Sequence, residues 1–331
     1  MIVTTASAPE AAYAPLEPAE LSSRLKTARF LLADIDLSSG NTSGGMSDST
    51  EDAESLACLL GLEVEGLDWF GRARESVRAE FIGELLGLVV PVVHGERIAH
   101  VHVLATDRYL VTAHRAPALT GDHIIGHLRR ERPRDSVASL FLMLQEALGT
   151  FRRAAVAALL EVEKLEDDMF EERRPEQIYR LAQLRRRSAL LHQSLLPWVQ
   201  AVDETITRRL MARYFPRDRQ RLAREFQQAS RTVLAVIESL QDAARRAFAS
   251  YSSLVAGEQN GVINRLAIVS VIFLPLSFLT GFFGMNFTFL TDKLETRDEF
   301  WLIAVGLQAI VLSGSLYVLH RTRVWRRLRD D

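Results

Sequence analysis

A charge-free part of the sequence carries small and polar residues at the spacing of one helix face. No acidic or basic residue occurs from Ala267 to Thr291. Counting back from Gly281 in steps of three or four residues selects one face of a helix: Gly281, Ser277, Leu274, Ser270, Leu266, Ile263 and Asn260. Such a face can line a water-filled pore, in which rings of leucine close the passage by dewetting. It can equally be a small-residue packing face between membrane helices, and the pattern alone leaves both interpretations open.

Two apolar stretches must position this face. The charge-free stretch is long enough to cross a bilayer core of about 30 Å as a helix, and a second apolar run covers Phe300–Leu319. Two spans joined by so short a polar loop must form a membrane hairpin. Arg265 opens the first span and five arginines follow the second: Arg321, Arg323, Arg326, Arg327 and Arg329. Arginine at these two ends predicts that both chain termini are cytoplasmic and that the loop faces outward.

The predicted outer loop begins with a distinctive tripeptide and is acidic. Gly284-Met285-Asn286 stands between aromatic residues at the end of the first span. Four carboxylates follow it, against Lys293 and Arg297: Asp292, Glu295, Asp298 and Glu299. Repeated around a ring of subunits, their net negative charge would concentrate cations at the mouth of a pore. Each of these acids can also be an ordinary solvated loop residue.

The order of these features resembles the CorA family of divalent-cation channels. The resemblance is carried by Asn260, Leu266, Pro275-Leu276, Gly281 and the tripeptide Gly284-Met285-Asn286 placed before a second span. It implies a homopentamer that takes up hydrated divalent cations, chiefly Mg²⁺ and also Co²⁺ and Ni²⁺. It also implies that the tripeptide is the selectivity filter and that the face traced above lines the pore. Because Mg²⁺ dehydrates reluctantly, neutral oxygens of Asn286 and of the main chain would hold the hydrated ion.

The resemblance has departures and rivals. The family often has MPEL after the tripeptide, whereas Thr288-Phe289-Leu290-Thr291 stands here, so the loop glutamate of the family has no secure counterpart. A proton-coupled Zn²⁺ importer of the ZntB type shares the architecture, and the segment PLSFLTG at Pro275–Gly281 favours it. A membrane-anchored helical signalling protein is the alternative of another class, and it leaves the tripeptide and the polar face unexplained.

Regulation by Mg²⁺ at acids between subunits is a further implication of the resemblance. The candidate carboxylates on the long helix before the membrane are Glu225, Glu238 and Asp242, each of which can instead belong to a solvated helix face. Two histidine pairs could hold Zn²⁺: His100 with His102 on a strand, and His123 with His127 on a helix. Surface or core histidines are the more common outcome for such pairs.

The chain is predicted to be an α+β membrane protein with a cytosolic α/β domain, a long helical stalk and two membrane helices per subunit. The predicted parts are a disordered segment 1–20, the α/β domain 21–132, paired long helices 133–214, a stalk helix 215–286 containing the first span at about 264–285, the loop 287–299, the second span 300–320 and a basic tail 321–331. In the α/β domain, we expect strands at Ala28–Ile35, Leu85–Val93, Ala99–Ala105 and Tyr109–Thr112, and helices at Thr50–Leu60 and Gly121–Arg130. The paired helices are predicted at Ser136–Glu171 and Pro175–Val199.

Composition excludes several other classes. The net charge is −2, which does not suggest nucleic acid as a partner. A single cysteine, Cys58, excludes an internal disulfide and a CxxC metal site. The first residues have no signal-peptide pattern, and no phosphate loop, nucleophile triad or dinucleotide fingerprint is present, so an enzyme is not predicted. We expect the chain in the inner (plasma) membrane, with the lipid bilayer, divalent cations and further copies of itself as partners.

Overall fold

The computed structural model describes residues 2–7, 14–27, 30–37, 57–58, 60, 76–82, 85–115, 135–210, 217–285, 298 and 300–321. They fall into two compact units, Met1–Phe248 and Ala249–Asp331. The predicted helices at Thr50–Leu60 and Gly121–Arg130 lie mostly or wholly outside the described residues, and so do His123 and His127.

The described strands of the first unit form one seven-stranded sheet with the order β2-β1-β3-β7-β6-β5-β4. The strands are β1 (Ile2–Ser7), β2 (Ala14–Pro15), β3 (Leu31–Asp36), β4 (Ala79–Ile82), β5 (Leu85–His94), β6 (Arg97–Ala105) and β7 (Tyr109–His114). Only β3 and β7 pair in parallel, and the remaining pairs are antiparallel. The strands predicted after residue 84 are confirmed, and the first predicted strand begins three residues later, at Leu31.

The prediction that residues 1–20 are disordered is wrong for 2–7 and 14–20, the residues of this segment that the structure describes. The strand β1 pairs with β3 over six residues, from Ile2 opposite Asp36 to Ser7 opposite Leu31. A first helix, α1 (Pro18–Thr27), follows, and it buries Leu21 and Leu25. Composition failed here because the hydrogen bonds that order β1 come from a strand far along the chain, and local residue content does not encode that pairing.

The β5–β6 connection shows why these residues form a hairpin. Both strands are rich in aliphatic residues, above all valine, which suits a pleated, buried surface. They are joined by the two residues Gly95 and Glu96, and Gly95 has a φ of 57°, which a residue without Cβ adopts at little cost. The register runs from His94 opposite Arg97 to Leu86 opposite Ala105. The hairpin therefore turns at Gly95-Glu96.

Two long helices pack against this sheet. They are α2 (Ser136–Glu171) and α3 (Pro175–Leu210), the first with the predicted bounds and the second longer than predicted. Asp135 caps α2, since its Oδ1 accepts the N–H of Ala138 at 2.7 Å. Its Oδ2 lies 3.4 Å from Nη2 of Arg219, whose Nη1 lies 3.2 Å from Asp107. Arg219, which belongs to the helix after α3, thus contacts both the turn before β7 and the start of α2.

That following helix, α4, runs without interruption from Arg217 to Phe283. Its part in the first unit buries Phe226, Val233, Ile237 and Leu240, whose spacings of seven, four and three residues place them on one face of the helix. Phe226 meets the buried Trp198 of α3 edge to face, with the ring centres 5.8 Å apart. The second unit contains the remainder of α4, a π-helical segment Phe300–Val305 and the helix α5 (Gly306–Arg321).

Candidate functional site

The two apolar helices of the second unit leave their apolar side chains uncovered. By length and composition, α4 and the helical segment Trp301–Arg321 are able to cross a membrane. No residue in the most apolar window of α4 is buried, whereas the core helix of a water-soluble protein is mostly buried. A contiguous exposed apolar surface of this extent marks a membrane or protein contact.

The predicted pore-face residues lie together along one exposed side of α4. All seven are exposed: Asn260, Ile263, Leu266, Ser270, Leu274, Ser277 and Gly281. Leu266 and Leu274 keep 67% and 74% of their surface. The partly covered positions of the same span lie elsewhere on the helix, at Ile268, Ile272, Pro275, Leu276, Leu279 and Phe283. The chain therefore does not use the polar face for its own packing, and the face is available to water or to another copy.

One of the two serine hydroxyls on this face, that of Ser270, is oriented by its own helix. The Oγ of Ser270 donates to the carbonyl oxygen of Leu266 at 2.9 Å. A serine hydroxyl has one hydrogen to donate and two lone pairs that accept. Because the hydrogen is used within the helix, the lone pairs remain for a donor outside it. Water molecules around a cation turn their hydrogens outward, so this serine suits a hydrated cation better than an anion.

The tripeptide starts where α4 ends. The N–H of Gly284 donates to the carbonyl of Thr280 at 3.0 Å, and the N–H of Met285 donates to Phe282 at 3.3 Å. A Cβ at position 284 would stand 3.1 Å from the carbonyl oxygen of Thr280. The aromatic residues before the tripeptide contact one another, since the rings of Phe278 and Phe282 stack with centres 6.3 Å apart. Asn286 lies outside the described residues, so its proposed role as the filter stays a prediction.

Of the four predicted loop acids, Asp298 is described and is exposed. Asp292, Glu295 and Glu299 lie outside the described residues. The attraction of cations by this loop therefore stays a prediction.

The structure does not bring the three stalk carboxylates together within one chain. Glu225 pairs with Arg221 at 3.3 Å, one helical turn away, and Asp242 lies 3.7 Å from Arg245. Glu238 is exposed. In the part of the chain that the structure describes, no group of three His, Cys, Asp or Glu residues could hold a metal ion. A regulatory metal site at these acids would need carboxylates from a second copy.

One histidine of the sheet, His102, belongs to the core of the first unit. His102 is only 2% exposed and stands in β6 opposite Val89 and Ala113. Burial, which is the largest cause, together with the charges of His100 and Arg115 lowers its pKa to about 4. Burial also lowers the pKa of His100. These side chains are therefore neutral at neutral pH.

A second polar cluster, which the sequence reasoning missed, lies on β3 and β7. Oδ1 of Asp34 accepts the hydroxyl of Thr112 at 2.5 Å, and its Oδ2 lies 3.3 Å from Nε2 of His114. Asp34 and Thr112 are register partners in the parallel pair, so their side chains share one face of the sheet. An aspartate inside the apolar run LLADID was the available signal, because a partly buried carboxylate requires hydrogen-bond partners.

Comparison with known proteins gives a consistent picture. A family model described as CorA-like Mg²⁺ transporter protein matches residues 46–321. A putative metal ion transporter of Bacillus subtilis, YfjQ, is 30% identical over 86 residues, which are 26% of this chain and 27% of that protein. The cobalt/magnesium transport protein CorA of Thermotoga maritima is 24% identical over 153 residues, which are 46% of this chain and 43% of that protein. These alignments thus span less than half the length of either curated relative.

Among solved structures, the CorA magnesium transporter of Methanocaldococcus jannaschii has the same fold. The two superpose with a TM-score of 0.75 and 17% sequence identity, covering 97% of this chain and 98% of the other. At this identity the likeness shows the fold alone. The sheet, the long helix α4 and the apolar helix α5 are therefore features of that fold.

Proposed function

The chain belongs to the CorA-like Mg²⁺ transporter family, and from that premise we propose that it forms a homopentameric channel for hydrated divalent cations. Mg²⁺ is the leading ion, with Co²⁺ and Ni²⁺ as further substrates. The observation that carries the proposal is the exposed polar face of α4, which leads up to Gly284 at the helix end. Two spans are too few to enclose a pore, so several copies must contribute, and five is the number that the resemblance implies.

The proposed filter is a ring of Asn286 side chains with the main-chain carbonyls beside them. Neutral oxygens can hold the water shell of Mg²⁺, which this ion gives up reluctantly. Below the filter, the lone pairs of Ser270 offer acceptors to the same hydrated ion. The bond from Ser270 to Leu266 supports this role, because it fixes the direction in which those lone pairs point.

The proposed gate consists of Leu266 and Leu274. A ring of leucines narrows a pore and expels water from it, which blocks an ion that keeps its hydration shell. The high exposure of both side chains in the single chain supports this role, since residues that pack against their own chain would be covered.

In the proposed membrane arrangement, the cytosolic α/β domain, predicted at 21–132, also includes β1 and β2, and 133–214 form the paired helices. Residues 215–286 form the stalk with the first span at about 264–285, and the second span covers 300–320. The loop 287–299 then faces outward, where Asp292, Glu295, Asp298 and Glu299 raise the local cation concentration. The basic segment 321–331 lies at the cytosolic face of the inner membrane, in accord with the distribution of arginine.

Regulation by internal Mg²⁺ is proposed at stalk carboxylates of neighbouring copies, with Glu225 first and Glu238 and Asp242 as the other candidates. Mg²⁺ between two carboxylates offsets their repulsion only when the subunits are close. A closed state that binds Mg²⁺ better than the open state is therefore favoured when the ion is abundant.

Ion flux from purified protein in liposomes tests the proposed function. The full chain is reconstituted with a Mg²⁺-sensitive dye inside the vesicles, and Mg²⁺ is added outside. We expect Mg²⁺ to enter without a proton gradient. Added Co²⁺ or Ni²⁺ should compete with Mg²⁺ and reduce its entry. Vesicles without protein are the control. Absence of flux from a correctly assembled protein would contradict the channel and would favour the membrane-anchored signalling protein.

The zinc-importer alternative predicts a different result in the same vesicles. Zn²⁺ entry should then exceed Mg²⁺ entry and should rise when the outside is made more acidic, because the protons drive the ion. The segment Pro275–Gly281 favours this alternative. Entry of both ions is therefore measured at two external pH values. Mg²⁺ entry that does not depend on the proton gradient excludes it.

A further inference from the structure

We propose that the end of α5 binds anionic lipid headgroups of the bilayer, with Arg321 as the residue that receives the lipid phosphate. This inference rests on the proposed function in one respect, namely that Arg321 lies at the cytosolic surface of a membrane. Three features of the chain support it: the geometry of Arg321, the side of the helix on which it lies, and the residues that follow it.

Arg321 is the last residue of α5 and contacts a tyrosine one turn earlier. Its Nη1 donates to the phenolic oxygen of Tyr317 at 3.3 Å. A guanidinium carries five N–H donors in a planar fork that matches the oxygens of a phosphate. The bond to Tyr317 uses one donor and restricts the side chain. Among the described residues, no carboxylate pairs with Arg321, so the other donors remain for a ligand.

Tyr317 and Arg321 lie on the side of α5 opposite its covered positions. The partly covered or buried positions of α5 recur at helical spacing, at Gln308, Val311, Ser315 and Leu319. Positions two residues before and after Leu319 are on the opposite side of a helix. Tyr317 is accordingly 60% exposed and Arg321 is also exposed. Tyrosine is enriched at the headgroup level of membranes, which is where a lipid phosphate would meet Arg321.

The sequence adds positive charge directly after this helix. Arg323, Arg326, Arg327 and Arg329 follow within eight residues, with Trp325 among them. These residues lie outside the described part of the chain, and only their composition enters here. Arginines next to the cytosolic end of a membrane helix are attracted to anionic lipids, each by about fivefold in binding.

The same arginines have two ordinary explanations, which make a different prediction. They can orient the helix during insertion, and Arg321 can stabilise the negative end of the helix dipole. Neither role distinguishes an anionic from a zwitterionic lipid once the protein is inserted. A lipid preference of the inserted protein therefore separates the proposal from both.

The test measures which lipid the full-length protein retains. The protein is reconstituted into phosphatidylcholine mixed with phosphatidylglycerol, re-extracted in mild detergent, and its bound lipid is quantified by mass spectrometry. We expect phosphatidylglycerol to be retained in preference. Arg321→Gln should lower its retention about fivefold, and the combined change of Arg323, Arg326, Arg327 and Arg329 to Gln at least about tenfold. Inorganic phosphate added at the same step should not displace the lipid.

A charge-matched variant controls for a general effect of net charge. It replaces four exposed arginines of the first unit by Gln: Arg186, Arg224, Arg231 and Arg246. This variant should retain phosphatidylglycerol as the unaltered protein does. The retention of the two lipids is also compared on the unaltered protein. This comparison tests the inference even if a variant fails to fold.

Four results would overturn the inference. The first is equal retention of the two lipids by the unaltered protein, the second is unchanged phosphatidylglycerol retention in the arginine variants of the helix end and tail, and the third is the same decrease in retention in the charge-matched control. The fourth is displacement of the lipid by inorganic phosphate, which would indicate a site for a free anion. Alkaline extraction of membranes and Mg²⁺ flux are read on the same preparations. A chain that leaves the membrane on extraction contradicts both the proposed function and this inference, whereas Mg²⁺ flux without lipid preference contradicts this inference alone.

Discussion

The N–H of Gly284 donates to the carbonyl of Thr280 at 3.0 Å, so the first residue of the GMN tripeptide still takes part in the hydrogen bonding of α4. The tripeptide is thereby attached to the end of a helix, and a displacement of that helix end would be transmitted to it. The first two predictions concern this junction.

Replacement of Gly284 by alanine should lower Mg²⁺ flux without unfolding the protein. The new Cβ would stand 3.1 Å from the carbonyl oxygen of Thr280, a contact that requires a shift of a few tenths of an ångström. Displacement of the filter by that amount should reduce flux about tenfold, since channel selectivity depends on the placement of oxygen ligands. Flux in liposomes is compared with assembly on a sizing column. Gly257→Ala is the control, because a Cβ there meets nothing within 4 Å.

Replacement of Asn286 by alanine should abolish Mg²⁺ uptake while assembly is preserved. The reason is the loss of the neutral amide oxygens that would hold the hydrated ion. Growth of a Mg²⁺-dependent strain and flux in liposomes both measure the effect. Asn286→Gln keeps the amide group but moves it outward, so it should retain part of the flux. Undiminished uptake by the alanine variant would contradict the assignment of the filter.

Asparagine in place of Leu274 or Leu266 should make the channel leak. A polar ring at either position would keep water in the narrow part of the pore, where leucine expels it. We expect conductance at high internal Mg²⁺, a condition in which the proposed regulation would keep the unaltered channel closed. Val269→Asn is the matched control, since Val269 is exposed on the same helix but lies outside the pore face. Closed-state conductance that is unchanged in both leucine variants would count against the gate.

Protease protection of the full-length protein should rise with Mg²⁺ over the millimolar range, and Glu225→Ala should weaken this effect. Glu225 is half exposed and held by Arg221 alone among the described residues, so a divalent ion from solution can compete for it. Glu163→Ala, which removes an exposed carboxylate of α2, is the control. Protection that ignores Mg²⁺ altogether would show that this protein is not regulated in the proposed way.

The first unit should lose stability as the pH falls from about 6.5 to about 4. The pKa of His102 is lowered to about 4 in the folded chain, so the unfolded state binds the proton more readily over this range. The stability that depends on neutral His102 is complete above pH 6.5 and is lost progressively below it, on the order of 3 kcal/mol in all. Thermal unfolding at several pH values measures this, and His102→Leu should flatten the dependence. If the variant shows the same dependence of stability on pH, then groups other than His102 cause that dependence.

The sequence by itself determined the parts of this protein whose signals are local. Helical periodicity predicted α2 with its observed bounds, and the lack of proline and glycine from Arg217 to Ala256 predicted the uninterrupted first part of α4. Charge-free length predicted both apolar helices, and spacing alone selected the exposed face from Asn260 to Gly281. These features depend on neighbours within one or two turns, which a single sequence contains.

Only the tertiary structure decided the features that join distant residues. The pairing of β1 with β3, the cluster of Asp34 with Thr112 and His114, and the contact of Arg219 with Asp107 and Asp135 each connect separate elements. Residue type sets what each of these side chains is able to bind. Which partner it meets depends on strand register and helix packing, because these bring together residues that are far apart in the chain.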